Sequence, residues 1–112
     1  MKRYGLTLTP SARAGVTEIV ARIARDSPQN AERFVDRLLD SLDDVTAAPR
    51  AYAQTFPDLP GCDDVRRGLI RRQPNHAFYY FIEENDVVVF RVFDSRQDRL
   101  DRLARFPRTD AK

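Results

Sequence analysis

The stretch HAFYYFIEENDVVVFRVF, residues 76–93, contains two apolar runs on either side of the polar tetrapeptide EEND. Both runs are rich in aromatic and β-branched residues, which favour strands. A short polar segment between two such runs is typical of a tight turn, so the stretch predicts a β-hairpin. A turn made of the whole tetrapeptide or of Asn85-Asp86 alone gives the same division of side chains between the two faces.

Side chains alternate between the faces of a strand, so the predicted pairing divides the hairpin into two sets. The first set is apolar apart from one phenol, and consists of Ala77, Tyr79, Phe81, Val88, Phe90 and Val92. The second set includes an arginine and a histidine, and consists of His76, Phe78, Tyr80, Ile82, Val87, Val89, Arg91 and Phe93. We expect the first set to meet the helices of the domain and the second set to form the open face of the sheet.

The predicted open face is still rich in apolar side chains. Soluble monomers seldom expose an apolar patch of more than roughly a few hundred Å². We therefore expect a partner chain or a second copy to cover this face, with contact residues Phe78, Tyr80, Ile82, Val89 and Phe93. The alternative is that the proline-rich loop 49–64 folds back over it.

Upstream of the hairpin, the sequence predicts one strand and two helices. KRYGLTLT, residues 2–9, alternates in polarity as a half-buried strand does. Thr9 and Ser27 each precede a proline, which is the pattern of an N-cap followed by the first helical position. Apolar residues recur at helical spacing after each of these signals, up to Asp26 in the first helix and Pro49 in the second.

The predicted order of elements is β-α-α-β-β-β, because VRRGLIRR, residues 65–72, supplies a further strand before the hairpin. We expect an α+β fold, with a helical hairpin packed on one face of a mostly antiparallel sheet. Residues 1–112 are short enough for a single domain. A short final helix over residues 97–106 would use Leu100, Leu103 and Phe106.

Composition excludes several classes of protein. No apolar run approaches the roughly 20 residues of a transmembrane helix, and the N-terminus lacks the apolar region of a signal peptide, so we expect a cytoplasmic protein. One cysteine, Cys62, cannot form an internal disulfide. Cys62 and the single histidine, His76, are too few for a tetrahedral zinc site, and we expect neither a metal nor a cofactor.

Charge is distributed unevenly along the chain. Residues 1–64 hold eight Lys or Arg against ten Asp or Glu, a net −2, whereas residues 65–108 hold ten against six, a net +4. The second half is therefore the candidate for contact with an anionic partner. We interpret Arg91 as an exposed charge on that surface. Alternation along the preceding strand would let one pair join it, either Arg66 and Arg72 or Arg67 and Arg71. The alternative is a salt bridge from Arg91 to a loop carboxylate such as Asp58 or Asp63.

The order and spacing of these segments resemble the ParE/RelE superfamily of bacterial toxins over nearly the whole chain. The segments that carry the resemblance are the TPSAR helix start, the helix DSPQNAERFVDRLLDSLDDVTAAPRAY, the strand VRRGLIRR, the hairpin and the tail DSRQD. The resemblance implies the toxin of a type II toxin-antitoxin module, bound and neutralised by a cognate antitoxin. The antitoxin would then be the partner that covers the predicted open face.

The two branches of this superfamily imply different targets. ParE-like toxins poison DNA gyrase, whereas RelE-like toxins cut mRNA on the ribosome using basic residues and a tyrosine near the C-terminus. Residues 94–112 contain no tyrosine, and the helix beginning SPQNAERF is more similar to ParE, so we favour gyrase. In that case no catalytic residue is assigned, and the candidates for target contact are Arg91, Arg96 and Arg99.

Two alternatives remain open. A RelE-like endoribonuclease would use Arg71, Arg91 and Tyr80. A protein of the same fold can also be a non-toxic binding module, because fold alone does not establish function. Under none of these three hypotheses do we expect membrane association or direct sequence-specific DNA binding.

Overall fold

The computed structural model describes residues 3–94 of the chain. The elements are β1 (Gly5–Leu8), α1 (Pro10–Asp26), α2 (Pro28–Ala47), a 3-10 turn (Pro49–Ala51), β2 (Arg66–Leu69), β3 (His76–Glu83) and β4 (Asp86–Asp94). This is the predicted order, β-α-α-β-β-β. The predicted helix over 97–106 lies outside the described residues, as do Arg96 and Arg99.

Both helix starts are fixed by side-chain caps. The Thr9 hydroxyl accepts a hydrogen bond from the Ala12 backbone N–H at 3.3 Å, and the Ser27 hydroxyl accepts one from the Asn30 N–H at 3.2 Å. Each cap satisfies an N–H that the first turn of a helix leaves without a partner. Because Ser27 also ends α1, the two helices follow one another with a single residue between them, as the sequence predicts.

The four strands form one mixed sheet in the order β1-β4-β3-β2. β1 runs parallel to β4, whereas β2–β3 and β3–β4 are antiparallel. The sheet is therefore mostly antiparallel, as predicted. The hairpin turn is formed by Glu84 and Asn85, and Glu84 takes the left-handed backbone conformation with φ 55°.

A β-bulge interrupts the hairpin at Phe90. Tyr80 pairs with Val89, but Tyr79 pairs with Arg91, so Phe90 is an extra residue on β4. An extra residue reverses the side-chain alternation of everything beyond it on that strand. Val92 therefore joins the face of Phe78 rather than that of Ala77, which is where the prediction had placed it.

The helices pack on the face that carries Phe78 and Tyr80, so our assignment of the two faces was wrong. The buried residues of this helix-covered face and its helices are Ala12, Ile19, Phe34, Leu38, Leu42, Val45, Ile70, Phe78, Tyr80, Val87, Val89 and Val92. The assignment failed because it used Arg91 to identify the open face. The bulge moves Arg91 and Phe93 to the face opposite the helices, whereas Phe78, Tyr80 and Val89 remain on the helix side.

The opposite face, which we call the outer face, carries Val65, Arg67, Ala77, Tyr79, Phe81, Val88, Phe90, Arg91 and Phe93. Phe56 and Cys62, from the loop after the 3-10 turn, pack against its apolar residues. The Phe56 ring lies 5.5 Å from that of Tyr79. The alternative had the long loop covering the face of Phe78 and Tyr80, whereas Phe56 packs on the opposite face, around Tyr79.

Helix α1 crosses β4 at unusually close range. A Cβ on Gly15 would lie only 2.3 Å from the Val92 carbonyl oxygen. Glycine is therefore required by the distance between the two backbones.

In α2 the predicted apolar stripe is buried except for Leu39, which is 57% exposed, and the half-buried Val35. No helix in residues 3–94 has the length and apolar character needed to cross a membrane.

Candidate functional site

Three of the five residues predicted to contact a partner are fully buried within this chain, and a fourth, Ile82, is half-buried. Phe78, Tyr80 and Val89 are fully buried beneath the helices, and Ile82 packs against the same cluster. Phe93 lies on the outer face, where it is 5% exposed. The apolar character that suggested a partner is explained for these four residues by the chain's own helices.

The three residues of the ribonuclease alternative do not converge. The Tyr80 hydroxyl donates a hydrogen bond to the Pro49 carbonyl oxygen at 2.7 Å, within the helix-side core. Arg71 forms a two-pronged ion pair with Asp44 of α2, with Nε–Oδ2 2.9 Å and Nη2–Oδ1 2.8 Å. Arg91 lies on the other side of the sheet.

The environments of these groups oppose proton transfer by Tyr80. Burial raises the pKa of the Tyr80 phenol above its ordinary value, so the phenol stays protonated at neutral pH. The hydrogen bond and charge of Asp44 likewise raise the pKa of Arg71. Arg71 thus carries a fixed positive charge, and Tyr80 makes a structural hydrogen bond.

Two arginines converge on one aromatic ring of the outer face. The guanidinium carbon of Arg91 lies 4.6 Å from the ring centroid of Phe93, and that of Arg67 lies 5.5 Å from it. Register explains this arrangement, because Arg67 and Arg91 are the two cross-strand partners of Tyr79. Both distances are within the range of a cation–π interaction.

The ring of Phe93 belongs to a continuous row of aromatic side chains. It stacks on Tyr79 with centroids 4.7 Å apart and an interplanar angle of 29°. Phe90 then lies 6.2 Å from Tyr79 and 5.9 Å from Phe81. Rings held in this way provide a rigid base beneath the guanidinium groups.

The outer face therefore combines two positive charges with aromatic rings, and its accessible part is the half-buried Arg67, because Arg91 and Phe93 are each 5% exposed. Such a surface suits a carboxylate or phosphate group that carries an apolar or aromatic neighbour. Arg91 was predicted as a functional residue and lies in this site. The sequence did not distinguish Arg67 from the neighbouring arginines as a site residue. Tyr79 was predicted to lie on the helix side of the sheet. The bulge that brings Arg91 opposite Tyr79 leaves no clear signal in the sequence.

A small cleft adjoins this site where α1 crosses the end of β4. It has a volume of about 200 Å³ and its polar lining includes Ser11, Glu18, Arg22, Arg91 and Asp94. Within residues 3–94, no group of three or more His, Cys, Asp and Glu side chains is arranged to hold a metal ion.

Comparisons with known proteins agree with the architecture. No curated protein matches the chain by sequence. A solved structure described as the chromosomal ParDE TA system from P. aeruginosa has a similar fold, with a TM-score of 0.66 and 15% sequence identity; the match covers 82% of this chain and 96% of that one. The family model for the ParE toxin of the type II toxin-antitoxin system parDE matches residues 6–99, and the chain therefore belongs to the ParE toxin family.

Proposed function

We propose that this chain inhibits DNA gyrase and is neutralised by direct binding of a cognate antitoxin in the cytoplasm. The observation that supports gyrase over mRNA is the separation of Tyr80 from Arg91 by the sheet. RNA cleavage requires a positioned acid or base beside the charges that stabilise the phosphate. Inhibition of gyrase requires neither group.

Target contact is assigned to the arginine-rich half of the chain. Arg91 is held by Phe93, and the side chain of Arg67 approaches the same ring. Arg96 and Arg99 follow shortly after β4 and remain candidates from the sequence. Sequence-specific DNA binding forms no part of the proposal.

Antitoxin contact is assigned to a revised set of residues. The helix-side residues are dropped, because displacing α1 and α2 would expose the main core of the domain. Arg67, which is half-buried, is added; Phe93 and Arg91 are retained as the residues beneath it, because each is only 5% exposed. An antitoxin segment with carboxylates beside apolar side chains has the chemistry that complements them.

The test uses purified chain with gyrase and supercoiled plasmid. We expect loss of supercoiling and accumulation of cleaved plasmid, both abolished by adding the cognate antitoxin. Arg67→Ala is compared with Arg13→Ala on the exposed side of α1, and only the first is expected to weaken inhibition.

Primer extension on a translated message tests the alternative that the chain is an endoribonuclease. We expect no ribosome-dependent breaks when the chain is induced. Discrete breaks at the ribosomal A site that disappear in Arg91→Ala, with gyrase activity unaffected, would reject the gyrase proposal and favour an endoribonuclease.

A further inference from the structure

The turn between β2 and β3 has an arginine where its geometry favours glycine. The Gln73 N–H donates to the Ile70 carbonyl oxygen at 3.0 Å, which closes a four-residue turn, and Arg72 occupies the third position with φ 57°. A positive φ at this position is typical of a type II turn, where glycine or asparagine is preferred. Because Arg72 is exposed, burial of its side chain does not offset the strain. Backbone outliers of this kind cluster at positions where a side chain binds a partner.

Helix α2 holds this turn in place. The Ser41 hydroxyl accepts a hydrogen bond from the Arg71 N–H at 2.9 Å, and the Arg37 guanidinium donates to the Arg72 carbonyl oxygen at 3.4 Å. The ion pair between Arg71 and Asp44 adds a third contact between the turn and the same helix. The backbone that carries Arg72 is therefore fixed before any partner binds, which lowers the entropic cost of binding.

The arginines around the turn are not all neutralised. Within residues 3–94, neither Arg37 nor Arg72 has a carboxylate at ion-pair distance. Arg71 is paired with Asp44, and the charge of Asp40 also acts on Arg71. Three arginines thus lie near two carboxylates, and the positive charges of Arg37 and Arg72 are left to attract an anionic partner.

We propose that Arg72, assisted by Arg37, binds the phosphate backbone of duplex DNA without regard to base sequence. The choice of DNA rests on the proposed function, because duplex DNA is the polyanion on which gyrase acts. Arginine suits this contact, since its planar fork matches phosphate oxygens and its charge does not titrate. The contact is distinct from the arginine pair on Phe93, because α2 and the outer face lie on opposite sides of the sheet.

The test is fluorescence anisotropy of a labelled DNA duplex titrated with the full chain over a range of salt concentrations, without gyrase. Each phosphate contact releases about one counterion, so we expect Arg72→Gly to reduce the slope of log affinity against log salt by about 1. At roughly 0.05 M salt this corresponds to binding that is about tenfold weaker. Arg72→Lys keeps the charge and should bind the duplex as the parent does.

Two controls separate the lost charge from the relieved strain. Glu84 has the same left-handed conformation, with φ 55°, in the hairpin turn at the other end of β3. We expect the urea midpoints of Glu84→Gly and Arg72→Gly to be at or above that of the parent, and only Arg72→Gly to bind DNA more weakly. Arg13→Gln removes an exposed arginine from α1 and should leave the salt slope unchanged.

The proposal is wrong if Arg72→Gly binds DNA as tightly as the parent, or if Arg13→Gln loses as much affinity. A urea midpoint of Arg72→Gly below that of the parent would contradict the strain at this position. Loss of antitoxin affinity alone in Arg72→Gly would also overturn the proposal, in favour of an acidic protein segment as the partner. A parent chain that binds the duplex through Arg72 but leaves gyrase active would reject the gyrase target and support this DNA contact.

Discussion

At the residue scale, Arg91 shows how burial changes the expected effect of a substitution. The sequence suggested an exposed charge, whose removal would leave stability unchanged, but Arg91 is 5% exposed and lies against Phe93. Arg91→Ala removes a cation–π contact and the packing of the side-chain stem, so we expect a loss of about 1–2 kcal/mol in the free energy of unfolding. Urea titration measures it.

Arg67→Ala is the matched control for this prediction. Arg67 is half-buried and lies farther from the same ring, so we expect a smaller loss. An Arg91→Ala variant as stable as the parent would mean that desolvation of the buried charge cancels its contacts. That result would indicate that Arg91 contributes to binding rather than to stability.

Tyr80→Phe distinguishes a structural hydroxyl from a catalytic one. The substitution removes the hydrogen bond to the buried Pro49 carbonyl, and we expect a loss of about 1–3 kcal/mol in the free energy of unfolding. Growth inhibition by the variant should remain at temperatures where it is folded. Loss of inhibition with unchanged stability would indicate that the hydroxyl acts on a substrate.

The raised pKa of the same tyrosine predicts that the stability of the protein falls with pH in the alkaline range. Burial raises the pKa of Tyr80, and burial together with the nearby Asp44 raises that of Tyr52. A pKa higher in the folded than in the unfolded chain means that stability is fully present below about pH 10 and is lost as pH rises above it. Urea midpoints measured between about pH 8 and about pH 11 should fall less steeply in Tyr80→Phe than in the parent.

At the element scale, the fold was predictable wherever a signal was local. The two caps define α1 and α2 within the sequence itself, and the turn defines the hairpin. The bulge at Phe90 depends on how β4 packs against α1 and β3, so alternation along one strand cannot indicate it. That one inserted residue explains why the order of elements was right and the assignment of the faces was wrong.

Gly15→Ala tests the crossing of α1 and β4. Within an exposed helix, alanine in place of glycine stabilises by about 1 kcal/mol. Here the new Cβ would lie 2.3 Å from the Val92 carbonyl oxygen, which belongs to backbone and cannot rotate away. We expect the clash to dominate and the variant to lose about 1–3 kcal/mol in the free energy of unfolding, measured by urea titration.

Ala14→Gly is the control at the neighbouring exposed position of α1. It should lose about 1 kcal/mol through helix propensity alone. A stabilised Gly15→Ala variant would show that the helix can move away from β4 without loss, and that the close approach is not required by the fold.

At the scale of the whole molecule, the chain is better covered than its sequence suggested. The apolar residues that led us to expect a partner form the core under α1 and α2. The family could be inferred from the order of elements, but the surface available to a partner could not, because it depends on which face the helices cover. The arginine pair on Phe93 is the part of the site that only the three-dimensional register brings together.

This coverage predicts a folded monomer in the absence of any partner. In residues 3–94, the exposed large apolar side chains are Leu6, Leu39 and Leu69, which lie on three different elements. Scattered single residues do not form an interface of the roughly 1,000 Å² that a specific dimer requires. Sedimentation equilibrium at micromolar concentration should therefore give the mass of one chain, 12.9 kDa.

The competing outcome is a dimer through the edge strand β2, where Leu69 is 67% exposed. Gln54 already bridges Arg66 at the start of this edge, so a second copy would pair at the Leu69 end. Leu69→Lys would dissociate such a dimer, because a charged side chain on an edge strand opposes pairing. Leu39→Lys, which places the same charge on the exposed side of α2, would leave it intact. The prediction of a monomer is wrong if the parent chain sediments as a dimer and only Leu69→Lys makes it monomeric. The sheet would then continue across two copies.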